Sequence, residues 1–170
     1  MNIRIPIRGI ACTAALLAAA ALHAGPAEDV QQADALLRTG DLPGAMALLR
    51  RAADQEHPLA MARLGDLLRA AEFEGEAVVL YRKSAERGEP AGLVGLGRAY
   101  ADGAGVPQDP ARALELYRQA EQKNYGPAFD ALARAYRSGT LGLPRDLEQA
   151  EAYQRKADAA LQSASAREAK

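Results

Sequence analysis

The apolar residues between positions 90 and 121 recur three or four positions apart, which is the spacing of one face of an α-helix. One run ends at Tyr100 and the next begins at Ala113, and Gly103 and Gly105 lie between them. Glycine weakens a helix and permits positive φ, so these two positions indicate a loop. The pattern therefore predicts two helices joined as an antiparallel hairpin. The apolar faces consist of Leu93, Leu96 and Tyr100 in the first helix and of Ala113, Leu116, Tyr117 and Ala120 in the second.

Local signals within this hairpin refine the prediction. Asp109 is followed by Pro110, which combines an N-cap acceptor with a proline at the first helical position and predicts that the second helix starts here. The first helix contains Gly92 and Gly97, each costing about 1 kcal/mol relative to alanine inside a helix. Two such residues in one helix indicate that other helices pack close to it. Gly105 is expected to adopt a positive φ in the loop.

The same plan recurs along the chain. The sequence LGRAY at 96–100 returns as LARAY at 132–136 and, more weakly, as LGDLL at 64–68. The second helix recurs as AMALLRRA (45–52), AVVLYRKS (77–84), ALELYRQA (113–120) and AEAYQRKA (150–157). These recurrences predict four helix pairs, at roughly 27–57, 58–89, 90–126 and 127–161.

An aspartate recurs at one offset in three of these pairs. Asp41, Asp109 and Asp146 each precede by four residues the alanine that opens the second-helix pattern. A repeated acceptor at that position predicts a repeated N-cap. The second pair departs from this rule, because Phe73 occupies the cap position.

The combined motif A-x-x-x-L-G-x-x-Y-x-x-G-x-G-V-x-x-D-x-x-x-A-x-x-(L/W)-Y resembles the Sel-one-like repeat (SLR), a relative of the tetratricopeptide repeat. The third pair carries it with Leu96, Gly97, Tyr100, Gly103, Gly105, Val106, Asp109, Ala113, Leu116 and Tyr117, with Gly92 at the first position. The fourth pair keeps Ala128, Leu132, Tyr136, Gly139, Gly142, Asp146, Ala150 and Tyr153, with Ala133 in place of glycine and a loop one residue longer. The second pair keeps Ala60, Leu64, Gly65, Ala77, Leu80 and Tyr81 but lacks the loop motif, and the first resembles only a generic tetratricopeptide-type hairpin. The resemblance implies an all-α solenoid of about four antiparallel hairpins that acts as a protein-interaction module.

The first 24 residues have the composition of a secretory signal peptide. Arg4 and Arg8 form a positively charged n-region. The uncharged apolar run from 9 to 22 that follows is too short to span a bilayer. Cleavage is expected after Ala24, with Ala27 as the alternative. We therefore predict a periplasmic or secreted protein without a membrane span after cleavage, a repeat domain at 25–161 and a flexible tail at 162–170. A buried N-terminal helix or an uncleaved anchor is the competing interpretation of this segment.

Charge and cysteine content narrow the function classes. The full chain has a net charge of −1, and removing Arg4 and Arg8 leaves 19 basic against 22 acidic residues, a net charge of −3. This balance argues against binding to nucleic acid or to an anionic membrane surface. Cleavage also removes Cys12, the only cysteine, so the mature chain has no disulfide. Cys12 lies near the start of the apolar run, which argues against lipidation.

Residues capable of catalysis or metal binding are sparse. After cleavage His57 is the only histidine, and no partner stands at ligand spacing from it. Glu72, Glu74 and Glu76 form an acidic cluster that could serve acid–base or calcium chemistry, or simply be a solvated loop. The glycine loop lacks the Gly-Lys-Ser/Thr ending of a phosphate loop. We therefore expect no catalytic residue, cofactor or metal.

Binding of another protein or peptide is the function that these patterns favour. In the related repeats the first helices line the concave surface, and this placement is carried over from the family. Positions two and five after the core leucine then form a basic stripe that could bind an acidic or C-terminal carboxylate-bearing peptide, or could be a solvated face. An envelope hydrolase acting on cell wall or β-lactam, and a polysaccharide-assembly scaffold, are the competing classes. The oligomeric state stays open. The stripe consists of Arg69, Arg98, Arg134 and Arg137.

Overall fold

The computed structural model describes residues 25–168, with side chains through residue 166, and this part of the chain is entirely helical outside its turns and loops. The first helices of the four pairs are α1 (Pro26–Thr39), α3 (Pro58–Ala70), α5 (Pro90–Asp102) and α7 (Gly126–Ser138). The second helices are α2 (Leu42–Asp54), α4 (Glu74–Glu86), α6 (Pro110–Glu121) and α8 (Leu147–Glu168). The predicted all-α fold and its four helix pairs are confirmed. The predicted signal peptide lies outside the described residues.

The predicted aspartate caps are present. Asp41 accepts a hydrogen bond from the Gly44 N–H at 3.0 Å. Asp109 accepts from the Arg112 N–H and Asp146 from the Gln149 N–H, each at 2.9 Å. Phe73 precedes α4 without a side-chain cap, as its position in the sequence predicts. Each aspartate thus satisfies one of the N–H groups that a helix start leaves unpaired.

The hairpins stack so that the first helices form an inner layer. Each first helix contacts the first helix of the next pair, as α3 does with α5, whereas the second helices make no such contacts with one another within residues 25–168. Helices α2, α4 and α6 instead pack between their own partner and the first helix of the following pair, and α8 packs on α7. The closer spacing of the first helices curves the array, so its concave surface is formed by α1, α3, α5 and α7.

Two glycines of α5 allow close helix contacts, as their presence in a helix predicts. A Cβ atom at Gly92 would lie 2.5 Å from the Ser84 Cβ of α4. A Cβ atom at Gly97 would lie 2.8 Å from the Tyr117 ring of α6. Helix α5 is therefore approached from both sides at positions where only hydrogen fits. A third contact of this kind, which the sequence did not predict, lies at Gly95, where an added Cβ would overlap the Tyr81 ring.

The loop of the third hairpin has the predicted conformation. Gly103 and Gly105 have φ values of 74° and 71°. The loop also folds back on the preceding repeat, because a Cβ at Gly105 would lie 2.6 Å from the Glu74 carbonyl oxygen. Gly105 is therefore restricted both by its backbone conformation and by its neighbours.

Helix α8 is longer than the sequence pattern predicts. It continues through Glu168, across most of the segment 162–170 that we assigned to a flexible tail. Alanine, glutamine, arginine and glutamate are good helix formers, and extending a nucleated helix needs no apolar stripe. None of the helices in residues 25–168 is both long and apolar enough to cross a lipid bilayer.

The buried interior is built mainly from alanine and leucine, and Asp29 is the one buried acidic or basic side chain among the described residues. Asp29 lies in the first turn of α1 and accepts a hydrogen bond from Arg51 Nε of α2 at 2.7 Å. A second contact joins the other carboxylate oxygen to Arg51 Nη2. The hydrogen bonds from Arg51 lower the pKa of Asp29 below its usual 3.8, and they outweigh the opposing effect of burial.

We expect Asp29→Asn to lower the midpoint of thermal unfolding at neutral pH, and to lose this effect in acid. The folded-state pKa of Asp29 lies below 3.8, so its ion pair stabilises the fold above that pH and is lost as the pH falls through the lowered pKa. Thermal unfolding across an acidic pH series measures the difference. Asp34→Asn is the matched control, because Asp34 makes a longer, partly exposed pair with Arg63 at 3.5 Å. A difference for Asp29→Asn that does not change with pH would contradict this account.

Candidate functional site

A cleft of about 270 Å³ lies between the C-terminal halves of α5 and α7. Arg98 enters it from α5 and Arg134 from α7, at equivalent positions of successive repeats. The loop after α7 contributes Thr140 and Leu141 to its wall. The remaining lining residues are Ala101, Asp102, Tyr117, Ala131, Ala135 and Ser138. This cleft brings two arginines that are 36 positions apart in the chain to one place on the first-helix layer.

Tyr117 of α6 reaches this cleft through the gap that Gly97 leaves. Its side chain is only 4% exposed. Burial raises the pKa of the Tyr117 hydroxyl, and the positive charges of Arg98 and Arg134 oppose that rise. The hydroxyl therefore stays protonated at neutral pH and is available as a hydrogen-bond donor beside two guanidinium groups.

The charges at the cleft are incompletely balanced. Neither Arg98 nor Arg134 forms an ion pair with any residue in the described part of the chain. Asp102 is the one carboxylate in the lining, so two positive charges face one negative charge and the net charge of the lining is +1. The arrangement favours an anionic group, and arginine binds carboxylates with well-defined geometry.

The wall formed by the loop contains an unusual backbone conformation. Leu141 has a φ of 57°, in the left-handed region that leucine rarely adopts. The Thr140 N–H donates to the Ala135 carbonyl at 3.0 Å, and the Leu143 N–H donates to the Thr140 carbonyl at 3.0 Å. The Leu141 side chain packs partly against the core. The extra residue of the fourth loop thus makes room for a leucine at the cleft.

The equivalent place one repeat earlier is built differently. Asp66 stands where the third repeat has Arg98, and it accepts a hydrogen bond from the Tyr81 hydroxyl at 2.9 Å. Burial, with the Asp66 charge adding to it, raises the pKa of Tyr81, and Arg69 opposes the rise. The tyrosine hydroxyl is therefore already engaged in the second repeat, whereas Tyr117 faces an open cleft in the third.

The four arginines of the predicted stripe do not share one environment. Arg98 and Arg134 line the same cleft. Arg69 lies beside Tyr81, and its Nε atom is buried without a hydrogen-bond partner. Arg137 is exposed and lies outside the cleft lining. Tyr117 was predicted as a residue of the repeat motif and not of the binding site. Asp102 and Leu141 were not predicted at all, although the longer fourth loop was a signal for Leu141.

The histidine and the three glutamates that were candidates for catalysis or metal binding lie at helix starts. The His57 Nδ1 atom accepts a hydrogen bond from the Ala60 N–H at 3.3 Å, so this histidine caps α3. Glu74 and Glu76 lie in the first turn of α4, and Glu72 precedes it with a φ of 65°. All three glutamates are exposed. No group of histidine, cysteine, aspartate and glutamate residues in the described part of the chain could hold a metal ion.

A larger cleft of about 540 Å³ lies at the C-terminal end of the array. Gln154 takes the position in α8 that Tyr81 and Tyr117 take in α4 and α6. Its side-chain amide donates to Asp130 and to Asp158, each at 3.3 Å. In the interior repeats this helix face is apolar and covered by the next hairpin. The polar replacement is typical of a capping repeat, whose outer face meets water.

The antiparallel helix pairs stack along the chain, and their first helices form the concave surface. This arrangement defines an α/α-solenoid repeat protein. Comparison with protein families identifies the particular class. The Sel1 repeat model matches residues 35–57, 58–89, 90–125 and 131–157, which is more than half of the chain. The protein therefore belongs to the Sel1 repeat family, as the resemblance predicted, and proteins of this family generally mediate protein–protein interactions.

Solved structures share the fold over most of this chain. A protective antigen of uropathogenic Escherichia coli with an SLR fold is 27% identical, has a TM-score of 0.63, and aligns with 87% of this chain and 33% of its own. A Sel1 repeat protein from Oxalobacter formigenes is 25% identical, with a TM-score of 0.61 over 85% of this chain and 44% of its own. A structure from Klebsiella pneumoniae subsp. pneumoniae, 24% identical with a TM-score of 0.72, aligns with 79% of this chain and 68% of its own, and shares the fold.

One curated relative is similar over a shorter region. An exopolysaccharide production negative regulator of Rhizobium leguminosarum bv. viciae is 33% identical over 89 residues. The alignment spans 46% of this chain and 33% of the relative. The chain thus corresponds to about a third of that relative's length.

Proposed function

We propose that this protein is an exported scaffold whose concave surface binds an acidic segment of another protein in the cell envelope. The observation that carries the proposal is the pair of unpaired arginines, Arg98 and Arg134, which line one cleft on the first-helix layer. A carboxylate bound there would meet two guanidinium groups and the Tyr117 hydroxyl. Charge-assisted hydrogen bonds of this kind are among the strongest that a protein surface offers.

The family and the N-terminal sequence support the rest of the proposal. Sel1 repeat scaffolds are generally non-enzymatic, and we propose binding without catalysis for this chain. The apolar segment before residue 25, preceded by two arginines, supports export. The relative named as a regulator of exopolysaccharide production is consistent with a role in envelope regulation. An envelope hydrolase would need titratable groups converging on a cleft, and this one offers Asp102 alone as a carboxylate.

Changing Arg98 and Arg134 together to glutamate is expected to abolish partner capture. The full chain carries an affinity tag, is expressed in the source bacterium, and is recovered from envelope extract with its bound proteins. The double change replaces two attractive charges by two repulsive ones at the cleft. Melting temperature and helical circular dichroism should not change, because both side chains reach solvent.

The control is Arg118→Glu combined with Arg155→Glu. Both residues are exposed and lie on second helices, so this variant has the same total charge with the cleft intact. It should capture the same proteins as the natural chain. Undiminished capture by the Arg98 and Arg134 double variant would place the binding surface elsewhere. Loss of capture by both variants would show that overall charge, and not the cleft, determines binding.

A further inference from the structure

We propose that the cleft between α5, α7 and the 139–146 loop accepts the C-terminal residue of the partner, with its α-carboxylate on Arg98 and Arg134 and a small apolar side chain against Leu141. This inference rests on the proposed function and names the chemistry of the bound segment. Three features of the cleft carry it, namely its size, its two-sided lining and the different residues at the equivalent place of the neighbouring repeat.

The size of the cleft limits what can enter it. Its volume of about 270 Å³ lies below the range of about 300–1,000 Å³ that is usual for small-molecule sites. A single amino-acid residue with its terminal carboxylate fits such a space, whereas a helix or a folded domain would only cover its mouth. The cleft is therefore large enough for one residue of a bound segment, but not for a helix.

The lining has one charged side and one apolar side. Arg98, Arg134 and the Tyr117 hydroxyl offer hydrogen-bond donors, while Leu141 and three alanines offer apolar contact. A C-terminal residue brings a carboxylate and an apolar side chain from a single Cα atom, and so matches both sides. An internal aspartate or glutamate brings only the carboxylate and leaves the apolar side without a partner. The three alanines are Ala101, Ala131 and Ala135.

Two sequence differences distinguish this cleft from the equivalent place in the neighbouring repeat. Position 101 is alanine where the second and fourth repeats have Arg69 and Arg137, so no long side chain covers Tyr117. The fourth loop is one residue longer than the third, and Leu141 adopts its left-handed conformation there. A strained residue persists only where its surroundings hold it, and such residues concentrate at functional sites.

The variant Ala101→Arg distinguishes binding inside the cleft from binding to a basic surface. The variant restores the residue type of the neighbouring repeats, and Arg69 lies against its own tyrosine, so the fold should accept the change. If the cleft is a pocket, the new side chain fills it and weakens binding, despite the added positive charge. If binding depends only on the basic surface, the added charge strengthens it. Ala104→Arg is the control, because it adds the same charge in the third loop, outside the cleft lining.

The probes are fluorescent glycine–serine peptides that differ only at their last residue. One series ends in alanine, valine or phenylalanine with a free carboxylate, a second ends in the corresponding amides, and a third carries an internal aspartate and an amidated end. Binding to the full chain is measured by fluorescence anisotropy, with nuclear magnetic resonance to detect weak complexes. We expect the free alanine and valine peptides to bind about tenfold or more tightly than the amides, because the amide cannot form the ion pair.

Leu141→Gly tests the apolar wall. Glycine adopts positive φ without strain, so the loop should keep its conformation while the cleft becomes larger. The natural chain should prefer terminal alanine or valine over phenylalanine, and the variant should lose or reverse that preference. Leu143→Gly, in the same loop but outside the cleft lining, should keep the preference of the natural chain.

The outcomes distinguish this inference from the proposed function. The inference is overturned if no free-carboxylate peptide binds, if amides bind equally, or if Ala101→Arg binds as tightly as Ala104→Arg. None of those results decides the outcome of the capture experiment with the Arg98 and Arg134 double variant, which tests the proposed function. Undiminished capture by that double variant would overturn the proposed function, even if terminal peptides bind the cleft of the purified full chain.

Discussion

Replacing Gly105 with valine is expected to destabilise the protein by about 1–3 kcal/mol from backbone strain alone. The φ of this residue is 71°, a conformation in which a β-branched side chain is an outlier. A Cβ atom would also lie 2.6 Å from the Glu74 carbonyl oxygen and 2.9 Å from the Gly75 nitrogen. Both neighbours are backbone atoms of α4, so no rotation of a side chain can relieve the contact. The third loop would have to move away from the second repeat.

Chemical denaturation of the variant and of the natural chain measures this effect. Gly142→Val is the matched control, because Gly142 has a φ of 77° in the equivalent loop but nothing within 4 Å of its added Cβ. The control should show the strain without the contact, so it should be less destabilised than Gly105→Val. Equal losses in the two variants would mean that the contact with α4 contributes nothing. A Gly105→Val protein as stable as the natural chain would refute the loop conformation itself.

Gly92→Ala should be destabilised by about 1–3 kcal/mol, the usual cost of adding a methyl group to a packed interface. The new Cβ would lie 2.5 Å from the Ser84 Cβ and 2.8 Å from the Ala85 nitrogen. Ser84 is itself buried and donates a hydrogen bond to the Pro58 carbonyl at 2.8 Å, so it cannot move without breaking a bond to α3. The added atom therefore separates α4 from α5. Removing a glycine from a helix normally stabilises it, so a loss here identifies packing as the cause.

Gly75→Ala provides the comparison for this prediction. Gly75 lies in α4 with nothing within 4 Å of an added Cβ, so alanine should leave the stability unchanged or slightly higher. For a protein of this size, each kcal/mol lost from the free energy of unfolding should lower the midpoint of thermal unfolding by about 2–4 °C. If Gly92→Ala and Gly75→Ala behave alike, the two helices are not in close contact at Gly92.

Local signals in the sequence determined the helices and most of their ends. An aspartate before a helix start binds an N–H group two or three residues ahead, so Asp41, Asp109 and Asp146 could be recognised without knowing what surrounds them. The left-handed glycines at 103 and 105 are similarly local, because the absence of a Cβ decides which backbone conformations are open. Repetition of these signals was enough to predict the number of hairpins and the family. The C-terminal boundary was missed, because alanine-rich helices extend without the apolar stripe used to find them.

The sequence by itself also indicated that α5 is crowded, through Gly92 and Gly97, but not which helices crowd it. Only the stacking of the hairpins decided that Arg98 and Arg134 share a cleft while Arg69 lies against Tyr81. The reason is physical: residues at equivalent positions of two repeats meet only if the side chains between them leave room. That room depends on Ala101, on Gly97 beneath Tyr117, and on the loop that places Leu141 at the wall. These are contacts between elements distant along the chain, and no local pattern encodes them.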